Sequence, residues 1–219
     1  MRKPLIVLGE GLPVPEIFAR PKNPNSAGHY PLGRRYSRGD EAVYRATSPR
    51  DLEPPHTVRF RVVGVDVDED RVVLNGGRIV WDLMGNYRQS KETEFDVPLQ
   101  FVPAELYVGR KWTAAVEGTA LEDKGGRAAG RQHLVRVDFA IVERETVRVP
   151  AGAFDAFRVK GYGSSGPLSI EHTLWYVPYF NFAVRWDFES YRMTGKFERR
   201  YRQSERRELE SARQFAIES

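Results

Sequence analysis

The sequence of 219 residues contains no cysteine. Disulfide bonds, thiolate zinc sites, iron–sulfur clusters and cysteine nucleophiles are therefore excluded. The chain also lacks any apolar run close to the ~20 residues that a membrane-spanning helix needs, so we predict no transmembrane segment. The apolar stretch Leu5–Leu8, which follows a basic start, is too short for a secretory signal. Two interpretations stay open at this point: the chain remains in the cytoplasm, or a signal has been removed.

Neither sign of charge dominates the sequence. Its 34 Lys and Arg residues face 30 Asp and Glu residues, which leaves a net charge of +4. Nucleic-acid-binding proteins concentrate their positive charge in patches, so we predict no nucleic-acid partner. The hydrophobic fraction of 41%, with 12% aromatic residues, is enough to fill a core. This composition is typical of a globular protein and excludes global disorder.

The motifs of common enzyme classes are missing as well. There is no G-x-S-x-G elbow, no P-loop and no G-x-G-x-x-G. The four histidines (His29, His56, His133 and His172) have neither the i, i+4 spacing nor the neighbouring ligands of a metal site. His133 and His172 lie in strand patterns, where we interpret them as exposed or cross-strand polar residues. We therefore predict no catalytic residue, no metal and no cofactor.

Two further segments look like ligand loops but favour turns. The acidic segment 66–70 lacks the Gly and the final Glu of an EF-hand loop, which favours a solvated hairpin turn. The Gly-rich segment 161–166 precedes no helix and so has no helix dipole to bind a phosphate. We predict a turn there too.

The chain divides into an arm and a domain. Six of the 14 prolines lie within residues 1–38, and Pro is incompatible with regular helix and with central strands. Because Leu5–Leu8 is apolar, we predict an extended Pro-rich arm over 1–38 that packs on the domain or on a neighbour. The alternative is that this segment is a flexible tail. Residues 39–219 form a single antiparallel β domain, or two related β-meanders at 39–100 and 105–213.

Apolar and polar residues alternate along most of this domain, as half-buried strands require. The clearest run has apolar residues at every second position from Phe180 to Phe188, and a second runs from His133 to Ile141. A third run changes phase between Val62 and Val63, which indicates a bulge or a strand buried on both faces. Six shorter candidates are Ala42–Ala46, Arg71–Leu74, Ile79–Leu83, Arg110–Glu117, Phe154–Lys160 and Ser169–Val177.

Clusters of Gly, Asn and Asp separate these runs, as hairpins require. The pattern predicts an all-β fold: an antiparallel curved sheet, in the form of a β-sandwich or a partial barrel of about ten strands. At the C-terminus the alternation predicts a strand to about residue 203. The composition of 204–219 favours helix instead, and we leave that tail undecided.

Three segments together resemble a known family. They are the stretch Val147–Val159 with Pro150-Ala151-Gly152 at its centre, the tetrapeptide Trp175–Pro178 with the strand that follows it, and Gly109–Trp112. In this order and spacing they resemble the TapB-like family of uncharacterised exported bacterial proteins, over residues 39–213. The resemblance implies an antiparallel curved β-sheet and a periplasmic or cell-surface location. It implies no reaction and no catalytic residue.

An aromatic cluster is the one feature that indicates a binding site. Eight aromatic residues lie within 17 positions of the segment 175–191, and a concave sheet lined in this way could hold a lipid, a glycan or another apolar ligand. Core packing is the alternative. The candidate ligand-binding residues are Trp175, Tyr179, Phe182 and Trp186.

Three hypotheses of function follow. The preferred one is a noncatalytic exported β-protein that binds an apolar or amphipathic ligand on a curved sheet. The second is a structural subunit of a surface assembly, which self-associates or binds a partner protein by strand addition through residues 4–20. The third is a glycan hydrolase with paired carboxylates.

Overall fold

Almost every described segment of this chain is a β-strand. The computed structural model describes residues 4–9, 30–31, 36–50, 53–121, 129–194 and 199–216. Among these residues there is no α-helix, and the only helical turn is a 3-10 turn at Asn75–Gly77. The strands are β1 (Ile6–Leu8), β2 (Tyr30–Pro31), β3 (Glu41–Thr47), β4 (His56–Asp66), β5 (Arg71–Leu74), β6 (Ile79–Trp81), β7 (Tyr87–Gln89), β8 (Thr93–Leu99), β9 (Glu105–Leu106), β10 (Lys111–Ala120), β11 (Gln132–Val149), β12 (Gly152–Ser165), β13 (Leu168–Val177), β14 (Phe182–Met193) and β15 (Arg199–Gln214).

The prediction of an all-β, antiparallel sheet is confirmed, but the sandwich or partial barrel of about ten strands is wrong. Twelve strands, β3 to β8 and β10 to β15, pair in chain order, and β15 then pairs with β3 to close the barrel. An even number of up-and-down strands brings the first and last strands together antiparallel, so closure removes both sheet edges. β1 adds to β15 as a thirteenth strand, and β2 pairs with β9 separately.

Each strand candidate from the alternation pattern overlaps a strand of this sheet, although Phe180 lies before β14 and Leu83 lies after β6. The phase change after Val62 corresponds to a register shift between Val62 and Gly64, where β4 pairs with β5. The pattern missed β7 and β8, which complete the wall between β6 and β10. β7 is only three residues long. In β8 the apolar residues Phe95, Val97 and Leu99 do alternate, but Pro98 interrupts the run, and Pro within a run argues against a central strand.

The Gly-rich segment is a strand rather than a turn. Gly161 to Ser165 continue β12, and only Gly166 and Pro167 turn. Gly161 lies opposite Phe139 of β11, and a Cβ at Gly161 would collide with the Phe139 ring. Glycine is needed here because two backbones and an aromatic ring meet closely, not because the chain reverses.

The undecided C-terminal tail is mostly strand, since β15 runs to Gln214. Its helix-favouring residues are overridden because the strand has partners on both edges: β14 along its first half and β3 along its second. Residues 217–219 lie outside the described residues.

The described part of the N-terminal arm packs on its own chain. Ile6 and Leu8 are buried, and β1 pairs with the end of β15. Residues 10–20 of the predicted partner-binding segment lie outside the described residues.

The stretch Val147–Val159 forms the tip of a long β11–β12 hairpin. Its turn packs on β15, where the Ala151 N–H donates to the Leu209 carbonyl at 2.9 Å. Phe154 and Phe157 are 1% and 2% exposed. The turn and the buried aromatic residues that follow it thus attach the hairpin to the barrel.

Candidate functional site

The barrel contains a cavity of about 970 Å³, at the upper end of the ~300–1,000 Å³ range of ligand pockets. Its mouth lies where the β3–β4, β7–β8, β12–β13 and β14–β15 connections meet. Residues from all four neighbourhoods line it, among them His56, Lys91, Pro167, Arg192 and Arg202. The cavity is therefore open at one end of the barrel.

At the opposite end of the barrel, buried polar groups bond the segment before β3, the end of β15 and the β13–β14 turn to one another. The Tyr36 hydroxyl donates to the Asn181 carbonyl at 2.7 Å, and the Gln214 side-chain amide donates to the Phe180 carbonyl at 2.9 Å. The Asp40 carboxylate accepts from the Phe215 N–H at 2.7 Å. Burial raises the pKa of Tyr36 well above its usual range, so its hydroxyl stays a donor.

The β6–β7 turn adds a second set of bonds at this end. The Asp82 carboxylate accepts from the Asn86 N–H at 2.8 Å, and the Asn86 side-chain oxygen accepts from the Val102 N–H at 3.0 Å. Burial raises the pKa of Asp82, although its hydrogen bonds to Asn86 oppose that shift. Buried polar groups that have hydrogen-bond partners make the surrounding structure rigid. We therefore expect this end of the barrel to stay closed.

Aromatic rings form the deep wall of the cavity. Phe101 lies 5.8 Å from Trp186, 5.2 Å from His172 and 5.6 Å from Phe139 between ring centroids. The ring of His172 also stacks on Trp186 at 5.7 Å and lies 5.0 Å from Phe188. These separations are those of favourable aromatic pairs. The wall is therefore apolar and well packed.

His172 belongs to this wall as a neutral ring. It is 6% exposed, so the first of the two predicted alternatives, an exposed residue, is wrong for it. It does lie cross-strand from Phe188. Burial lowers the pKa of His172 to about 3. Its Nδ1 accepts a hydrogen bond from the Trp186 indole N–H at 3.2 Å. The ring is therefore uncharged near neutral pH and holds Trp186 in place.

One ion pair lies in the wall closer to the mouth. Glu205 and Arg207 of β15 form a salt bridge, with side chains 20% and 21% exposed. The Arg207 guanidinium carbon lies 4.7 Å from the Trp186 ring centroid and 5.9 Å from that of Phe60. The pair is electrically neutral as a unit, and its cation is fixed by the aromatic faces.

Replacing Glu205 with Gln should lower the free energy of unfolding by about 1–2 kcal/mol, because Arg207 would keep its partly buried charge without a counter-charge. Urea unfolding measures the loss. Glu117→Gln is the control: Glu117 is exposed on β10, and its replacement should change stability by less than about 0.5 kcal/mol. Equal effects of the two changes would contradict a stabilising role for the pair.

Of the four residues predicted to bind a ligand, Trp186 lines the cavity and the other three do not. The Trp175 indole N–H donates to Glu145 at 2.9 Å, and its ring lies 4.4 Å from the Arg185 guanidinium carbon. Tyr179 is 39% exposed in the turn before β14. Phe182 stacks on Phe180 at 5.2 Å.

The sequence analysis did not identify three other residues of the wall. Phe101 continues the alternation of Phe95 and Leu99, but it lies beyond Pro98, which interrupts that run. Glu205 and Arg207 lie in a segment whose composition favours helix. The alternation did predict that His133 and His172 lie on strands, and both line the cavity.

Two kinds of feature are absent from the described residues. No group of three or more His, Asp or Glu side chains there is placed to hold a metal ion. No helix in that part of the chain is long and apolar enough to cross a membrane.

No family model, no curated protein and no solved structure matches this chain. The resemblance to the TapB-like family therefore depends on the three motifs alone.

Proposed function

We propose that this protein is a noncatalytic binding protein that holds an apolar or amphipathic ligand inside the barrel. The observation that carries the proposal is the cavity of about 970 Å³, open at one end and walled by aromatic rings. An apolar group that enters it leaves water for a preformed apolar surface, which is favourable by about 25 cal/mol per Å² buried. The binding surface is the inside of a closed barrel rather than one face of a curved sheet.

The resemblance to the TapB-like family adds a second element to this proposal. We infer from it that the protein acts in the periplasm or at the cell surface. The cavity itself is compatible with any aqueous compartment, so location rests on the motifs alone.

The two other hypotheses gain less support. Strand addition to a neighbour needs a free β1, whereas β1 pairs with β15 of the same chain. A glycan hydrolase needs two carboxylates facing each other. Of the carboxylates that line the cavity among the described residues, Glu92 is exposed at the mouth and Glu205 is paired with Arg207. Both hypotheses stay predictions.

Filling the cavity should abolish binding without unfolding the protein. Leu168 lines the mouth and is only partly buried, so Leu168→Trp places an indole in the open space. We expect the affinity for Nile red, a neutral apolar probe, to fall at least about tenfold, or about 1.4 kcal/mol. Fluorescence titration measures this change.

Leu134→Trp is the matched control, because Leu134 is 57% exposed and is not among the residues that line the cavity. Its affinity for the probe should equal that of the wild type. Native mass spectrometry of the purified protein, followed by organic extraction, would then identify any ligand that copurifies. If the wild type fails to bind the probe, or if both variants bind it equally well, the proposal is wrong.

A further inference from the structure

We propose that the natural ligand is an anionic amphiphile, which inserts its apolar tail toward the aromatic wall and keeps a carboxylate, sulfate or phosphate head group at the mouth. This inference rests on the proposed function, because it concerns the same cavity. It adds the charge of the ligand and its orientation.

Four exposed basic side chains surround the mouth. None of the four has an ion-pair partner within the described part of the chain. They come from the β7–β8 turn, the start of β11, the end of β14 and the start of β15: Lys91, Arg131, Arg192 and Arg202. Uncompensated cations beside a low-dielectric cavity concentrate the positive potential and attract anions.

The order of the strands places these cations on two arcs of the mouth. Lys91 and Arg131 belong to the arc of β8, β10 and β11, whereas Arg192 and Arg202 belong to that of β14 and β15. β12 and β13 lie between the two arcs on one side, and β3 to β7 on the other. A head group at the centre of the mouth is thus within the field of both arcs.

The residues that line the cavity also carry more positive than negative charge. Six described basic residues line the cavity and its mouth, against two acidic ones, Glu92 and Glu205. Arg guanidinium groups bind carboxylate and phosphate oxygens in a bidentate manner. The mouth is therefore suited to an anionic head group and disfavours a cationic one.

The deep part of the cavity offers no place for that head group. Arg207 is already neutralised by Glu205, and His172 is an uncharged ring among aromatic neighbours. A second anion beside Glu205 would meet like-charge repulsion and lose its hydration. The tail must therefore point inward and the head group outward.

A series of ligands with one tail and different head groups tests the inference on the wild-type protein. Dodecyl sulfate, dodecanoate, dodecylphosphocholine and dodecyltrimethylammonium would displace Nile red below their micelle concentrations. We expect the two anions to bind about tenfold more tightly than the cation at low ionic strength. This advantage should shrink at about 1 M salt, where the Debye length is about 3 Å.

A variant without the four positive charges at the mouth provides a second test of the inference. We expect the anions to lose about tenfold in affinity in a variant that replaces the four rim cations with Gln, while Nile red binding is unchanged. The control variant carries four exposed Arg→Gln changes away from the cavity, so its net charge is the same. The two sets are Lys91, Arg131, Arg192 and Arg202 at the rim, and Arg38, Arg45, Arg71 and Arg148 as the control.

The outcomes separate the inference from the proposed function. Anion preference that is lost in the rim variant and kept in the control supports both. Nile red binding with no preference among head groups, or an equal loss in both variants, overturns the inference and leaves the proposed function standing. Failure of every amphiphile and of Nile red to bind overturns both.

Discussion

Replacing Asp155 with Asn should lower the free energy of unfolding by about 3–5 kcal/mol. The Arg144 guanidinium donates to both Asp155 carboxylate oxygens, through Nε at 3.0 Å and 3.2 Å and through Nη2 at 2.6 Å. The two side chains are 8% and 6% exposed. Asn keeps the shape of the side chain but removes its negative charge, so the buried guanidinium of Arg144 loses the counter-charge of Asp155. Urea or thermal unfolding measures the loss.

Two further variants make this prediction specific. Asp138→Asn on β11 changes an exposed pair, since Arg136 and Asp138 are 57% and 63% exposed, and should cost less than about 1 kcal/mol. Replacing Arg144 with Met and Asp155 with Leu together should restore most of the stability, because a buried pair can often be exchanged for apolar residues at little cost. A loss as large in Asp138→Asn, or a double variant weaker than Asp155→Asn, would contradict the argument.

Asp155 also explains what the Val147–Val159 motif, which carries the family resemblance, does in the fold. It lies between Phe154 and Phe157, both of which are buried. The Arg144 guanidinium carbon lies 5.0 Å from the Phe157 ring centroid. The motif thus fixes the β11–β12 hairpin rather than contributing to the cavity, which is consistent with a structural role.

Acid should destabilise this protein through His172. The folded protein holds this ring neutral with a pKa of about 3, whereas in the unfolded chain histidine takes a proton near pH 6.5. Below that pH the unfolded state binds more protons than the folded state, so stability falls as the pH falls. Between about pH 7.5 and about pH 4.5 the loss from His172 alone should be about 3 kcal/mol.

The variant His172→Phe isolates this contribution. Phenylalanine keeps a ring in the wall but cannot titrate, so any packing cost is the same at both pH values. Urea unfolding of the wild type and the variant at each pH gives two differences, and we expect the variant to lose about 3 kcal/mol less on acidification. Parallel losses in the two proteins would show that His172 is protonated in the folded state.

The sequence by itself determined the fold class and most of the strands. Alternation from Phe182 to Phe188 and from His133 to Ile141 depends only on which side chains leave water, and this preference is local. The bulge after Val62 was visible for the same reason, since an extra residue reverses the alternation. The strand candidate Phe154–Lys160, which lies within β12, was local information too.

Only the tertiary structure decided that the sheet closes and what its interior contains. Alternation gives a strand two faces but does not say which face lies inside a barrel. On β13, Ile170 and His172 line the cavity, and Trp175 lies on the opposite face of the strand. Trp175 therefore contacts Arg185 and Glu145, whereas Trp186 lines the cavity.

Closure itself depends on contacts between residues far apart in the chain. β15 pairs with β3 across more than 150 positions, for example at Arg207 and Ala46, and these bonds outweigh the helix preference of its residues. Pairing with β14 places Arg207 opposite Trp186, and closure brings the Phe60 ring of β4 to 5.9 Å from the Arg207 guanidinium carbon. A site assembled from strands at both ends of a chain has no local signature, because its parts meet only when the barrel closes.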